Sequence, residues 1–233
     1  MAKRPGGELA TRPLHFIWIA DCSGSMSIDG KIQALNTAIR EALPHMRTVA
    51  DENPNAEVLV RALKFSSGAQ WHVSQPTPVV DFKWADLQTE GVTDLGRALA
   101  MVAEQLRIPP MSDRALPPVL VLISDGCPTD DFHKGLQTLM NEPWGKKAVR
   151  IAIAIGEDAD TEVLQKFIGH PELKPLQANS PEALVRSIKW VSTAVLKSAS
   201  SPASQAAGMT PGLNVPIPTP PSAAGPNSAD DVW

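Results

Sequence analysis

Leu14-His15-Phe16-Ile17-Trp18-Ile19-Ala20-Asp21-Cys22-Ser23-Gly24-Ser25 is the stretch on which the fold turns. From Leu14 to Ala20 it is an apolar run of strand length, as a β-strand covered on both faces should be. At Asp21 the character changes: a carboxylate is followed by serines at alternate positions, with Gly24 allowing a tight turn. Pro118 to Ser124, Ala148 to Ile155 and Glu57 to Phe65 repeat the strand pattern and read as further central, parallel strands. Between them lie helical stripes: Ile32, Leu35 and Ile39; Leu95, Leu99, Val102 and Leu106; Leu184, Ile188, Val191 and Val195. Steps of three and four place each set on one helix face. Ser180 caps the last helix, with Pro181 at its first position and Glu182 favouring its dipole. Ala69 to Val80, broken by Pro76 and Pro78, reads as an edge strand running into a loop. The alternation predicts an α/β fold: a doubly wound, mostly parallel sheet with one antiparallel edge strand, helices on both faces, and ligands at the strands' carboxyl ends.

Composition agrees. The 233 residues are 43% hydrophobic and 20% charged, which fits one folded core and excludes a wholly disordered or collagen-like chain. A net charge of −4 provides no basic footprint for nucleic acid. Two cysteines, Cys22 and Cys127, cannot make a disulfide framework or a four-cysteine zinc site, and no bridge between them is expected. Lys3, Arg4 and Arg12 ahead of an apolar run imitate a secretory signal, but the run is short and ends in Asp21 without a cleavage site. No stretch approaches the roughly 18 apolar residues of a membrane-spanning helix, so a cytoplasmic protein is expected.

Composition breaks after Lys197. The last 36 residues hold seven prolines, no Lys or Arg, and only Asp230 and Asp231 as charges. The expected organisation is an N-terminal extension over 1–13, one domain over 14–197, and a disordered Pro/Ala/Ser-rich tail over 198–233 whose removal leaves stability unchanged. Within the tail, Val215-Pro216-Ile217-Pro218-Thr219-Pro220-Pro221 favours polyproline II and could dock on an aromatic groove. Asp230-Asp231-Val232-Trp233 reads as a short docking peptide.

The candidate site follows from what ends each strand. Asp21, Ser23 and Ser25 follow the first; Asp125-Gly126 follows Val119 to Ser124; and between them Glu90-Gly91-Val92-Thr93-Asp94-Leu95-Gly96 presents a hydroxyl in a glycine-flanked loop. All are oxygen donors, which suit a hard divalent cation, Mg²⁺ or Mn²⁺, and argue against zinc or copper. Two carboxylates and three hydroxyls leave such an ion's shell incomplete, so a water or foreign group must finish it.

Asp21-x-Ser23-x-Ser25, with Thr93 and Asp125 downstream in that order, resembles the metal-ion-dependent adhesion site of von Willebrand factor A (vWA) domains, a Rossmann-like fold. The resemblance runs over about residues 14–197. Ile123 to Asp131 and the compact size look most like the bacterial TerY-like group associated with tellurium resistance. This implies that Asp21, Ser23, Ser25, Thr93 and Asp125 hold Mg²⁺ directly or through water, leaving one position for a Glu or Asp of a partner protein. The implied partners are a protein kinase, a protein phosphatase or tellurium-resistance proteins encoded nearby, in a stress or defence response. A related implication is a regulatory subunit of an ATPase or metal-insertion complex. Two departures matter. Val92 stands where many A domains have a glycine, and Asp94 adds an accessory carboxylate that, on reaching the ion, would lower its appetite for a foreign acid.

An enzyme reading has less support. Haloacid-dehalogenase-like phosphatases also place an Asp after the first strand, but they need a second Asp two residues later as general acid. Here that residue is Ser23, whose hydroxyl cannot deliver the proton. His15, His45, His72, His133 and His170 lack metal-ligand spacing, and Gly6-Gly7 has neither the strand nor the lysine of a phosphate loop. Trp18 is expected in the core. Trp71, Trp84 and Trp144 fall at loop or edge positions, where packing is the better reading and a partner anchor the sharper one.

Overall fold

The computed structural model describes residues 11–125, 127–201 and 215–221. Lys3, Arg4, Gly6-Gly7, Gly126 and the Asp230–Trp233 peptide lie outside the described residues.

Strands β1 (Arg12–Asp21), β2 (Ala56–Ser66), β3 (Gly68–Pro78), β4 (Val119–Ser124), β5 (Val149–Ile155) and β6 (Leu176–Ala178) form one sheet in the order β3-β2-β1-β4-β5-β6. Every pairing is parallel except β2 with β3, where the chain reverses at Gly68, whose φ of 88° an L-residue rarely adopts. The edge strand is therefore antiparallel, and its prolines sit at its end, where no ladder donor is needed. Chain order reverses between β1 and β4. At such a switch point the two carboxyl ends diverge and leave a crevice.

The unbroken apolar runs have a simple cause: alternate residues of one strand serve two cores. Phe16, Trp18 and Ala20 of β1, with Val119, Val121 and Ile123 of β4, face helices α1 (Lys31–Asp51) and α6 (Pro181–Trp190). Ile17, Ile19, Leu120 and Leu122 face α2 (Leu95–Gln105), α3 (Phe132–Asn141) and α5 (Thr161–Ile168), with short α4 (Pro143–Lys147) beside them. All members of the three helical stripes are buried. Ser180 Oγ caps α6 by accepting from the Ala183 N–H at 3.2 Å. Beyond α6 the helix passes through a π segment, Val191–Val195, into α7 (Leu196–Ser200). Trp144 is buried, Trp84 donates to Asn36 Oδ1, and Trp71 lies under the Arg61 guanidinium, so all three pack within the chain.

The expected boundaries shift at both ends. β1 begins at Arg12, inside the expected extension, where Arg12 N–H reaches the Asn55 carbonyl and its guanidinium the carbonyls of Arg114 and Ala115. Helix α7 continues past Lys197 to Ser200, whose carbonyl accepts from Asn53. Within the tail expected to be disordered, residues 215–221 lie against the domain: Val215 is 4% exposed within the α1/α6 core, Ile217 packs on that core, and the Trp190 indole donates to the Thr219 carbonyl at 3.1 Å. Average composition concealed two branched aliphatic side chains held on a stretch already stiffened by prolines, for which ordering costs little entropy.

Candidate metal centre

Asp21 ends β1 with its side chain fully buried. Its Oδ1 accepts the Ser23 N–H at 2.8 Å, closing the turn that Asp followed by Ser and Gly favours. Its Oδ2 accepts the Ser124 hydroxyl at 2.5 Å, across the switch point from the end of β4. Ser23 Oγ and Ser25 Oγ lie 2.9 Å apart. Asp125, next after Ser124, is 8% exposed, and its Oδ1 is buried with no hydrogen-bond partner.

The loop carrying Thr93 is fastened to this edge by backbone. Glu90 N–H donates to the Cys22 carbonyl at 2.7 Å and Gly24 N–H to the Gly91 carbonyl at 3.0 Å. Gly91 has φ of 65°, and a Cβ there would overlap Ser67, so this clip requires glycine. Thr93 is buried, and its backbone forms a reciprocal pair with Thr129: its N–H reaches Thr129 Oγ1 at 3.0 Å, and the Thr129 N–H returns to the Thr93 carbonyl at 2.8 Å.

Asp94, next to Thr93, is tied to two neighbouring loops. Its Oδ2 accepts the Gly68 N–H at 2.6 Å and its Oδ1 the Thr129 hydroxyl at 3.2 Å, tying the β2–β3 turn to the loop after β4. Its carboxylate braces these two loops, and both of its oxygens accept from protein donors, as both oxygens of Asp21 do. Asp130, which the sequence pattern did not single out, takes the N-terminal cap of α2 by accepting from Gly96 and Arg97 N–H at 2.7 and 2.8 Å. Ser124 was also read only as a strand residue, although its hydroxyl joins Asp21 to the neighbouring strand.

Burial dominates the electrostatics and pushes the Asp21 carboxyl up to about 6; the Asp125 charge adds to this, and the bonds from Ser124 and Ser23 only partly offset it. A buried carboxylate beside a second one is a site of unmet negative charge, and a divalent ion removes that penalty. Among the described residues no group of three or more His, Cys, Asp or Glu converges as a metal cluster, so a cation here would rely on two carboxylates and neutral hydroxyls. That donor set fits a hard ion: Asp21, Ser23, Ser25, Thr93 and Asp125 would hold it, and it would supply a Lewis-acidic position for one further oxygen ligand. Cys22 is buried and its thiol is pushed up to about 12, first by burial and then by the Asp21 charge. Cys127 is exposed, and both thiols are free.

No family profile matches the chain, and no curated protein does. Solved structures do. The von Willebrand factor type A protein from Catenulispora acidiphila superposes with a TM-score of 0.61 at 18% identity, over 80% of this chain and 43% of that one. The ArnB paralog VWA2 from Sulfolobus acidocaldarius gives 0.56 at 18% identity, over 76% and 44%. Proximal thread matrix protein 1 from the mussel byssus, in a structure described as having a zinc-occupied MIDAS motif, gives 0.60 at 19% identity, over 79% and 48%. The chain thus spans less than half the length of these proteins. The sheet order, the single antiparallel edge and these superpositions define the fold as that of von Willebrand factor A domains.

Proposed function

We propose that this chain is a non-catalytic, divalent-ion-dependent protein-binding module. The observation that carries the reading is the buried Asp21 carboxyl at the switch point, which feels the Asp125 charge, with Asp125 Oδ1 buried and unpartnered and the Ser23 and Ser25 hydroxyls 2.9 Å apart. Mg²⁺ or Mn²⁺ held there through neutral Ser and Thr oxygens keeps enough positive character to attract a Glu or Asp from another protein. A zinc-occupied MIDAS motif in the mussel byssus structure makes Zn²⁺ a third ion to test. Resemblance to the TerY-like group supports a partner such as a kinase or phosphatase in a bacterial stress, tellurium-resistance or defence system. Two free thiols fit a reducing compartment such as the cytoplasm.

Calorimetric titration with Mg²⁺, Mn²⁺ and Zn²⁺ tests the site. Wild type is expected to bind at least one ion, and Asp21→Ala to lose most of that affinity while remaining folded. Absence of binding by all three ions, or equal binding by the variant, overturns the reading. Partner capture should disappear in chelator and return with Mg²⁺; capture indifferent to chelator would put the interface elsewhere.

A further inference from the structure

The metal edge does not account for how residues 215–221 are held. Thirteen residues separate Ser201 from Val215, a length that spans at most about 45 Å when extended and so permits return to the same domain or delivery to a neighbour. The returning segment alternates branched aliphatic residues with proline, Val215-Pro216-Ile217-Pro218, before Thr219-Pro220-Pro221. Burial falls along it: Val215 is 4% exposed, Pro216, Ile217 and Pro218 are half-buried, and Thr219 to Pro221 are exposed. Its polar anchor is the bond from the Trp190 indole to the Thr219 carbonyl.

These features match the way proline-rich peptides are read. Proline removes backbone donors and leaves carbonyls as the groups to be recognised, while its restricted φ lowers the entropy lost on docking. An aromatic residue with an N–H can answer the exposed carbonyls, as the Trp190 indole does for Thr219. Trp190 is the last residue of α6, immediately before the π segment, where the widened turn alters the direction in which successive side chains project.

We propose that the surface beside Trp190 is a binding site for proline-rich segments with a branched aliphatic residue before each of two prolines, occupied in this chain by its own residues 215–221. Val215 is the apolar anchor, Ile217 the second contact, and the Thr219 carbonyl the polar register mark. The site is reversible: a tethered segment competes at an effective concentration set by its linker, so release of the segment opens the surface to the same sequence in trans.

The probe is a fluorescein-labelled peptide of residues 213–221, read by anisotropy against the full chain and against the full chain carrying Val215→Asp and Ile217→Asp. The released chain should bind the peptide saturably and at least ten-fold tighter than wild type, whose own segment competes. Adding Trp190→Phe should weaken that binding about five-fold, the weight of one neutral hydrogen bond. A peptide carrying the two aspartates should not bind. Equal affinity of released and wild-type chains, absence of saturation, or indifference to Trp190→Phe overturns the assignment. If the aspartates unfold the chain, Pro216→Gly, Pro218→Gly and Pro220→Gly together loosen the segment without placing charge in the core, and the same comparison applies.

Discussion

Asp21→Asn should make the metal-free protein more stable at neutral pH, and the size of the gain follows from one buried carboxyl. Its pKa rises from the ordinary 3.8 to about 6, with burial the largest cause. The folded chain therefore still holds this proton at pH values where the unfolded chain has released it. Stability contributed by the protonated form is fully present below about pH 4 and is lost as pH rises through about 6. A difference of about two units at 1.36 kcal/mol each corresponds to roughly 3 kcal/mol. Asparagine keeps the local bonds: its oxygen can accept the Ser23 N–H, and its amide can donate to Ser124 Oγ, whose hydroxyl can turn to receive it. For a domain of this length each kcal/mol moves the melting temperature by about 2–4 °C, so the variant should melt roughly 6–12 °C above wild type at pH 7.5 in chelator and level with it near pH 4. Circular dichroism melts at several pH values supply the difference curve, which cancels the other carboxyls. Mg²⁺ should then raise the wild-type melting temperature and leave the variant unmoved. A flat difference curve, or a variant less stable than wild type at pH 7.5 in chelator, would refute the view that Asp21 is an unpaired buried charge awaiting a cation.

Three other perturbations probe the scaffold. Gly96→Ala would press a Cβ into the Asp131 carbonyl where α2 and α3 cross, so urea unfolding should show a loss of about 1–3 kcal/mol. Asn36→Ala removes a buried amide that donates to the Leu87 carbonyl and accepts from Leu87 N–H and Trp84 Nε1; the cost should be about 3 kcal/mol, and a loss below about 1 kcal/mol would mean that water replaces it. An aromatic disulfide reagent should label one thiol per native chain, the exposed Cys127, and a second only after denaturation, when Cys22 is freed; zero thiols in the denatured, unreduced chain would reveal a bridge.

Much of the sheet was legible because two physical signals were strong and local. A strand buried on both faces must be apolar along its covered length, and Phe16 to Ala20 of β1 and Val119 to Ile123 of β4 are; helices that bury one stripe must repeat at three and four, and α1, α2 and α6 do. β6 is three residues long, too short for any period to register. The candidate donors were legible for a related reason, since a carboxylate directly after a buried strand is costly unless something uses it. What the pattern could not supply was the second layer. Asp94 adjoins Thr93 and Asp130 follows Asp125 by five residues, yet one braces the Gly68 turn and the other caps α2. A carboxylate's partner lies some thirty residues away in each case, and nothing in local sequence distinguishes a brace from a ligand.

The same separation of local from distant information explains the tail. Proline, alanine and serine averaged over 36 residues indicate a chain that cannot offset its ordering entropy, and that average is the right quantity for a chain folding alone. Docking onto an existing core obeys a different balance. Only the segment that docks loses freedom, prolines have already removed much of it, and one aliphatic side chain buried to 4% exposure contributes about 1.5–3 kcal/mol by itself. Val215 and Ile217 meet that requirement over three residues, and Trp190 supplies a donor to a carbonyl that no neighbouring proline could satisfy. Net binding is then a small difference between a modest gain and a modest cost. That balance makes the contact an exchangeable occupant of the domain surface and distinguishes it from a further structural element.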